Sequence, residues 1–335
     1  PMDFRANAED GAGTPWPIGY DDLAPWYEKV ERVVGISGSP EGLPQLPDSQ
    51  FQPPMAMNAA EKLAKERIEA AFPERRLIIG RAAVLTEALG DRAPCHYCGP
   101  CHRGCSTRSY YSTLTSALPA ARATGNLTLK SRQLVHSVLH EDGRATGVRV
   151  IDMVTGEATE YTARVVFLCA SAPGTVRIML NSTSREFPDG IANSSGVVGR
   201  YVLNHHSRVG ASGRIEGLED RYYQGNRPNG LYVPRFRNIS AATRRPDYVR
   251  GFGLQGGASR EGWGRGSSMS GFGASFKHAL RRPGAWRLGF QAFGEVLPYR
   301  DNRITLDPDL TDAWGMPALR FDVGRYDNEL AMRRD

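Results

Sequence analysis

At 335 residues, with 40% hydrophobic and 23% charged residues, the chain has the composition of a globular enzyme and is expected to build more than one core. Its net charge of +6 is carried by scattered arginines, without the basic stripe and interleaved aromatics that nucleic-acid binding requires. The longest apolar run, residues 165–170, is too short to span a bilayer, and the five cysteines are too clustered for a disulfide-stapled fold.

Along the chain, the first 52 residues read as loops around one helix. Asp21 or Asp22 caps it, Leu23, Trp26, Tyr27, Val30 and Val34 recur at helical spacing as its apolar face, and Gly35 ends it. Residues 38–54, rich in proline and glycine, read as a surface connection, and a second helix spans about 58–72, opened by the capping box Asn58 with Glu61. A short strand over 76–79 precedes the cysteines. After them, Ser112 caps a helix bearing Leu114, Leu118 and Ala121, which Gly125 stops. Three strands follow at 127–139, 146–152 and 159–170, with turns at Asp142-Gly143 and Thr155-Gly156. The unbroken apolar run at 165–170 predicts a strand buried on both faces, as in a parallel sheet, leading to a helix from near Thr175. Beyond Tyr201 come glycine-rich strands and long loops, including 251–273. Strands at 290–296, 303–306 and 318–322 suggest a second, antiparallel sheet, and 328–333 the first turns of a helix.

Four cysteines, Cys95, Cys98, Cys101 and Cys105, have the spacing C-x2-C-x2-C-x3-C, which ferredoxins use to wrap thiolates around an iron–sulfur cube. Gly99, Pro100 and Gly104 let the backbone turn sharply between them. Ser106 stands where ferredoxins carry proline, so three-iron (3Fe–4S) and four-iron (4Fe–4S) centres are both compatible. Structural zinc on the same thiolates, or with His96 and His102, is the main alternative, and short-range disulfides the next. Cys169, isolated in the apolar run, reads as a small buried residue. The literal G-x-G-x-x-G at 251–256 has no following helix or suitably placed acid, so it reads as loop or strand and not as a nucleotide fingerprint.

Several segments together resemble the glucose–methanol–choline oxidoreductases, in that family's order and across nearly the whole chain. They are Trp16-Pro17-Ile18-Gly19-Tyr20-Asp21-Asp22-Leu23, the run from Thr113 through Gly125-Asn126-Leu127, the stretch from Ala163 to Ala172 with Leu180-Asn181-Ser182, Val197-Val198-Gly199-Arg200 with His205, Asn302 to Asp307, and Asp312 to Pro317. The second of the family's signatures departs here, with Gly174-Thr175 in place of Ser-Pro. The cysteine loop is similar to that of bacterial sugar dehydrogenases, glucoside 3-dehydrogenases above all.

The resemblance implies an α/β composite: part of a Rossmann-like FAD domain plus an antiparallel substrate domain. It divides the chain into a connecting or lid segment at 1–74, an FAD portion with the cysteines at 75–205, and a substrate domain at 206–335. It implies hydride transfer from a CH–OH group of a sugar or glycoside to flavin, then electrons through the iron–sulfur cluster to a protein or quinone acceptor, with a small partner subunit compatible. Val135 is expected to contact the adenine through its backbone, and Ala170 and Ser171 to lie at a strand end facing the cofactor. Gln255, Gln291 and Glu295 are candidates for sugar hydroxyls, and His205 and His206 read as structural. The family's opening strand–GxGxxG–helix and closing catalytic histidine are not found, so the chain reads as an internal fragment, inactive alone, with no catalytic residue of its own. The competing reading is a non-catalytic electron-transfer or zinc-stabilised module. Periplasm and cytoplasm are both open.

Overall fold

The computed structural model describes residues 1–221 and 225–335. In chain order the regular elements are α1 (Met2–Asp10), α2 (Tyr20–Val34), α3 (Ala59–Ala71), β1 (Ile78–Ile79), α4 (Ala117–Ala123), β2 (Gln133–Glu141), β3 (Arg144–Asp152), β4 (Ala158–Thr162) and α5 (Ser171–Asn181). Then come β5 (His206–Ile215), β6 (Leu231–Val233), β7 (Phe252–Arg260), α6 (Gly273–Arg281), β8 (Trp286–Gly294), β9 (Arg303–Thr311), β10 (Pro317–Asp322) and α7 (Asp327–Arg334). They form two compact units that interleave along the sequence: residues 1–125, 205–296 and 327–335 make the first, and 126–204 with 297–326 the second. The stretches 1–74, 75–205 and 206–335 follow composition and family order, whereas the compact units follow packing. Among the described residues no helix is long and apolar enough to cross a membrane.

The first unit is built on a five-stranded antiparallel sheet in the order β1-β6-β7-β8-β5. Alternation along the strands sends Leu231, Val233, Phe252 and Ala292 to one face, where Ala64 of α3 and Ala331 and Met332 of α7 complete the core. His206 is buried on that face against Met332. Tyr232, Gln255 and Gln291 point the other way. The 251–256 glycine motif lies at the start of β7 in this sheet, as its lack of a following helix predicts. Helix α3 opens with the expected capping box, Asn58 accepting from the Glu61 N–H at 3.0 Å and Glu61 from the Asn58 N–H at 2.9 Å.

Two elements escape the sequence reading, α1 and α6, the stretch 251–273 read as a long loop contains the whole of β7, and one predicted face is turned partly outward. In α2 the residues turned toward the protein include Leu23, Ala24, Glu28 and Glu31, while Trp26 and Val30 are 61% and 58% exposed. The middle of the predicted apolar face, Trp26, Tyr27 and Val30, therefore faces solvent, while Leu23 and Val34 at its ends are half-buried. The helix ends as predicted, with Gly35 in the left-handed region at φ 78°.

The second unit holds the antiparallel sheet β2-β3-β4 and the hairpin β9-β10, with α5 packed on β2, β9 and β10. Every pair of described strands in both units is antiparallel, so the mixed α/β class and the antiparallel sheet agree with expectation. The buried parallel strand does not. Residues 163–170 form no strand, Val165 and Phe167 are 65% and 83% exposed, and Cys169 is exposed and not buried. A run buried on both faces needs a hydrogen-bonding neighbour on each side, and among the described residues no strand flanks this one. Helix α5 also starts earlier than Thr175, at Ser171.

Arg177 of α5 fastens the helix to the β9–β10 connection, donating to the Asp312 carboxylate at 2.8 Å and to the carbonyls of Pro317 and Met316 at 2.7 and 2.9 Å. Burial pushes the Asp312 carboxyl upward, but Arg177 and the N–H groups of Trp314 and Met316 outweigh it and hold it below the usual aspartate range. A carboxyl depressed in the folded state stabilises above its unfolded pKa, about 4, and that contribution is lost as pH falls through the folded value. Asp312→Asn should therefore cost about 1.5–3 kcal/mol at pH 7. In urea titrations the gap from the parent protein should shrink steadily below about pH 4.

Candidate functional site

The cysteine segment is a loop with a closed neck in the first unit. At its base the Ala93 N–H donates to Thr107 at 3.1 Å, Cys95 N–H to Leu85 at 2.9 Å, and Leu85 N–H to Ser109 at 3.2 Å. Arg92 is 4% exposed and locks this neck, donating to the carbonyls of Arg108, Ser109 and Val34 at 3.0, 3.2 and 2.8 Å. A buried guanidinium satisfied by carbonyls alone is costly to move, so it fixes the feet of the loop against the end of α2.

Beyond the neck, Gly99 and Gly104 take positive φ, 90° and 106°, and a single 3-10 turn covers Cys101–Arg103. The outer part of the loop rests on a distant segment: Asn226 N–H donates to the Tyr97 carbonyl at 2.8 Å, and Cys98 pairs with Asn226 in a parallel bridge. A Cβ on Gly99 would lie 2.6 Å from Asn226 Nδ2, so glycine is required there by contact as well as by conformation.

All four cysteines line one small pocket, with Tyr110, Thr107 and Pro228 in its wall. Burial pushes the Cys101 thiol up, as do the neighbouring Cys95, Cys105 and Cys98. Burial acts the same way on Cys105, but the Thr107 hydroxyl and the backbone of Tyr110, Thr107 and Ser109 outweigh it and hold that thiol below the ordinary range. The donor set is that of a thiolate-bound centre. The spacing is looser: among the described residues no three His, Cys, Asp or Glu side chains converge closely enough to hold a metal ion.

Next to this pocket, and sharing Val84, Tyr110 and Pro228 with it, a cleft of about 630 Å³ runs onto the open face of the sheet. Tyr110, Tyr111 and Tyr232 supply rings, and Gln255, Asn229 and Arg81 supply polar groups. Gln255 and Gln291 are direct cross-strand partners on β7 and β8, both exposed, so the sequence-predicted pair does stand together, with Gln255 in the cleft. The Tyr232 ring lies over the backbone of Gly253, where a Cβ would come within 2.7 Å of its hydroxyl.

Glu295 belongs to a separate pocket, with Asp3, Gln45, His205 and Tyr232 in its lining. Its carboxylate lies 3.4 Å from Arg235 and 3.7 Å from Arg250. Burial and then Asp3 push it above the usual carboxylate range, against the pull of both arginines. His205 is exposed and meets Phe293 edge-on at 6.2 Å.

In the second unit Val135 pairs with Val150 beside a bulge at His136, where the β2–β3 register shifts. Ala170 and Ser171 form the exposed start of α5, which carries no side-chain cap, and Ser171 has φ 60°. The first turn of that helix thus has no side-chain partner, and Pro173 within it has no N–H to give. The residues that sequence reasoning missed are Arg92, Tyr110, Tyr232, Asn226 and Pro228. Adjacent tyrosines at 110–111 were the one available signal; the others act through contacts far apart in the chain.

The sequence profile of a family described as GMC oxidoreductase matches residues 10–206. The 2-methyl-1,2-propanediol dehydrogenase of Mycolicibacterium austroafricanum is 34% identical over 99% of this chain and 60% of its own length. The fructose dehydrogenase large subunit of Gluconobacter japonicus is 25% identical over 97% of the chain and likewise 60% of its own length. The C-glycoside 3-oxidase of Microbacterium trichothecenolyticum is 40% identical over 26% of the chain and 15% of its own length. The chain thus spans 60% of the first two relatives.

Two glycine substitutions separate conformation from contact in the cysteine loop. Gly104→Ala, with nothing within 4 Å of its new Cβ, should cost only backbone strain, about 1–3 kcal/mol. Gly99→Ala should cost roughly 1–3 kcal/mol more, because Asn226 must also give way. Denaturation midpoints of the two variants measured side by side check the order.

Proposed function

Because this chain belongs to the GMC oxidoreductases, we propose that it forms the core of an FAD-dependent dehydrogenase that oxidises a CH–OH group of a sugar or glycoside. The observation that carries this reading is the cleft beside the cysteine pocket. Three tyrosines with Gln255 and Asn229 offer ring faces and amides to a hydroxylated ring, within the volume range of small-molecule sites. One relative is named for fructose and another for a C-glycoside, which supports the sugar class. The diol named for a third would leave most of such a cleft unfilled.

FAD supplies the hydride acceptor. On this chain the uncapped start of α5, with Ala170 and Ser171, would face an anionic portion of the cofactor, and the Val135 backbone beside its bulge would give the adenine contact. Cys95, Cys98, Cys101 and Cys105 would hold an iron–sulfur cluster of 3Fe–4S or 4Fe–4S type, which would supply one-electron transfer to an external protein or quinone. All four thiols line one pocket, and the Thr107 hydroxyl and the backbone of Tyr110, Thr107 and Ser109 hold the Cys105 thiol low, which supports a thiolate there. Of the family's branches, the glucoside 3-dehydrogenases fit this combination of cysteine loop and ring-sized cleft. The fructose dehydrogenase relative is named a large subunit, which supports a small partner subunit here too.

Protein purified without oxygen should show a broad visible absorption that bleaches on reduction; a colourless, zinc-containing protein sinks the relay in favour of a zinc-stabilised module. Within the full-length enzyme, Gln255→Ala should raise KM for a glycoside about tenfold with kcat nearly unchanged, as loss of ground-state hydrogen bonds requires. Turnover of 2-methyl-1,2-propanediol with no response to ring sugars would overturn the substrate class.

A further inference from the structure

We infer that the buried ion pair Glu61–Arg227 is a positioning device for the cysteine pocket, holding the segment that forms its outer wall. Glu61 is 1% exposed and Arg227's side chain 12%. The guanidinium grips the carboxylate with both arms, at 2.6 and 2.7 Å, and also donates to the Ala56 carbonyl at 2.8 Å. The remaining carboxylate capacity goes to the Asn58 and Ala258 N–H groups, at 2.9 and 3.1 Å. The pair therefore fixes residue 227 against two rigid elements at once, the start of α3 and the strand β7.

Residues on either side of Arg227 are the ones that touch the cysteine loop. Asn226 holds Tyr97 through its N–H and stands against Gly99, and Pro228 lines the pocket with the four cysteines. On the far side, the Asn229 amide donates to the Gly80 carbonyl at 2.7 Å and Gly80 N–H to Gly230 at 2.8 Å, just before the strand that carries Tyr232. One short segment thus borders both the thiol pocket and the tyrosine cleft, and its only bidentate ionic anchor among the described residues is Glu61. Neither Glu61 nor Arg227 lines the cysteine pocket, so any influence they have there passes through Asn226 and Pro228. The inference rests on the reading of that pocket as a cluster site for its consequence, though not for its geometry.

The test compares the parent protein with Arg227→Lys, which keeps the charge and loses the fork, and with the double variant Glu61→Gln/Arg227→Gln, which removes both charges and leaves none stranded. In metal-free protein, labelling of Cys101 and Cys105 by an aromatic disulfide reagent should quicken about tenfold in both variants, while exposed Cys169 keeps its rate. Hydrogen exchange of the β8 amides, read in parallel, reports global opening and should stay unchanged. Unchanged labelling, or labelling that rises only in step with β8 exchange, overturns the inference. After anaerobic loading with iron and sulfide, the variants should also show a shifted reduction potential. If the parent protein takes up neither, the cluster reading falls, and the labelling rates still decide the positioning role.

Discussion

Glu61 is a carboxylate with no water to turn to, and much of the first unit is arranged to keep it satisfied. Its two oxygens accept from one guanidinium and from two backbone N–H groups, which belong to the start of a helix, the middle of a sheet and a loop over a hundred residues away. Removing one side of such a pair typically costs about 3–5 kcal/mol, because the partner charge is left buried and unpaired. The three elements it joins are therefore set with respect to each other before any ligand is considered. The cysteine pocket and the tyrosine cleft inherit that rigidity through the segment from Gly225 to Gly230.

The sheet works as a two-sided plate. Its apolar side is sealed by α3 and α7, so the polar side is left to present Tyr232, Gln255 and Gln291 in one row. Strand alternation alone decides which residues do which, and the glycines of β7 decide how closely the rings approach. With Gly253 beneath it, Tyr232 lies against bare backbone; any side chain there would tilt the ring away from the cleft. Glu295 belongs to a different balance, an ion cluster in which two arginines and the burial of the carboxyl pull in opposite directions.

How much of this was legible depended on how local the deciding contact was. The capping box of α3 and the glycine end of α2 are each written within a dozen residues, and both hold. Helix α1 has no such local signature. It is held by Arg250, which reaches Asp10 at 2.8 Å and Asn7 at 2.7 Å from more than two hundred residues away. The pattern of α2 gives an apolar stripe but not how far it is covered, since the half-burial of Glu28 and Glu31 beside Leu23 and Val34 is decided by tertiary packing. The run at 165–170 misled for the converse reason: its composition specifies a doubly covered strand, and covering is a property of neighbours, not of the run. Likewise the four thiols could be named from spacing, while Asn226 and Pro228, which back them, could not.

The pairing of Glu61 with Arg227 also sets a clock on synthesis. The two residues are 166 positions apart, so at about 5–20 residues per second the arginine leaves the ribosome roughly ten to thirty seconds after its partner. Until then the nascent helix α3 can form its capping box, but it cannot be buried without stranding a charge. The second unit's strands β2 to β4 and helix α5 are made entirely within that interval. The first unit is thus obliged to wait, half-made, while the first stretch of the other is synthesised in the middle of it. Any chaperone that meets this chain on the ribosome meets it with the seat of its cysteine loop still unbuilt.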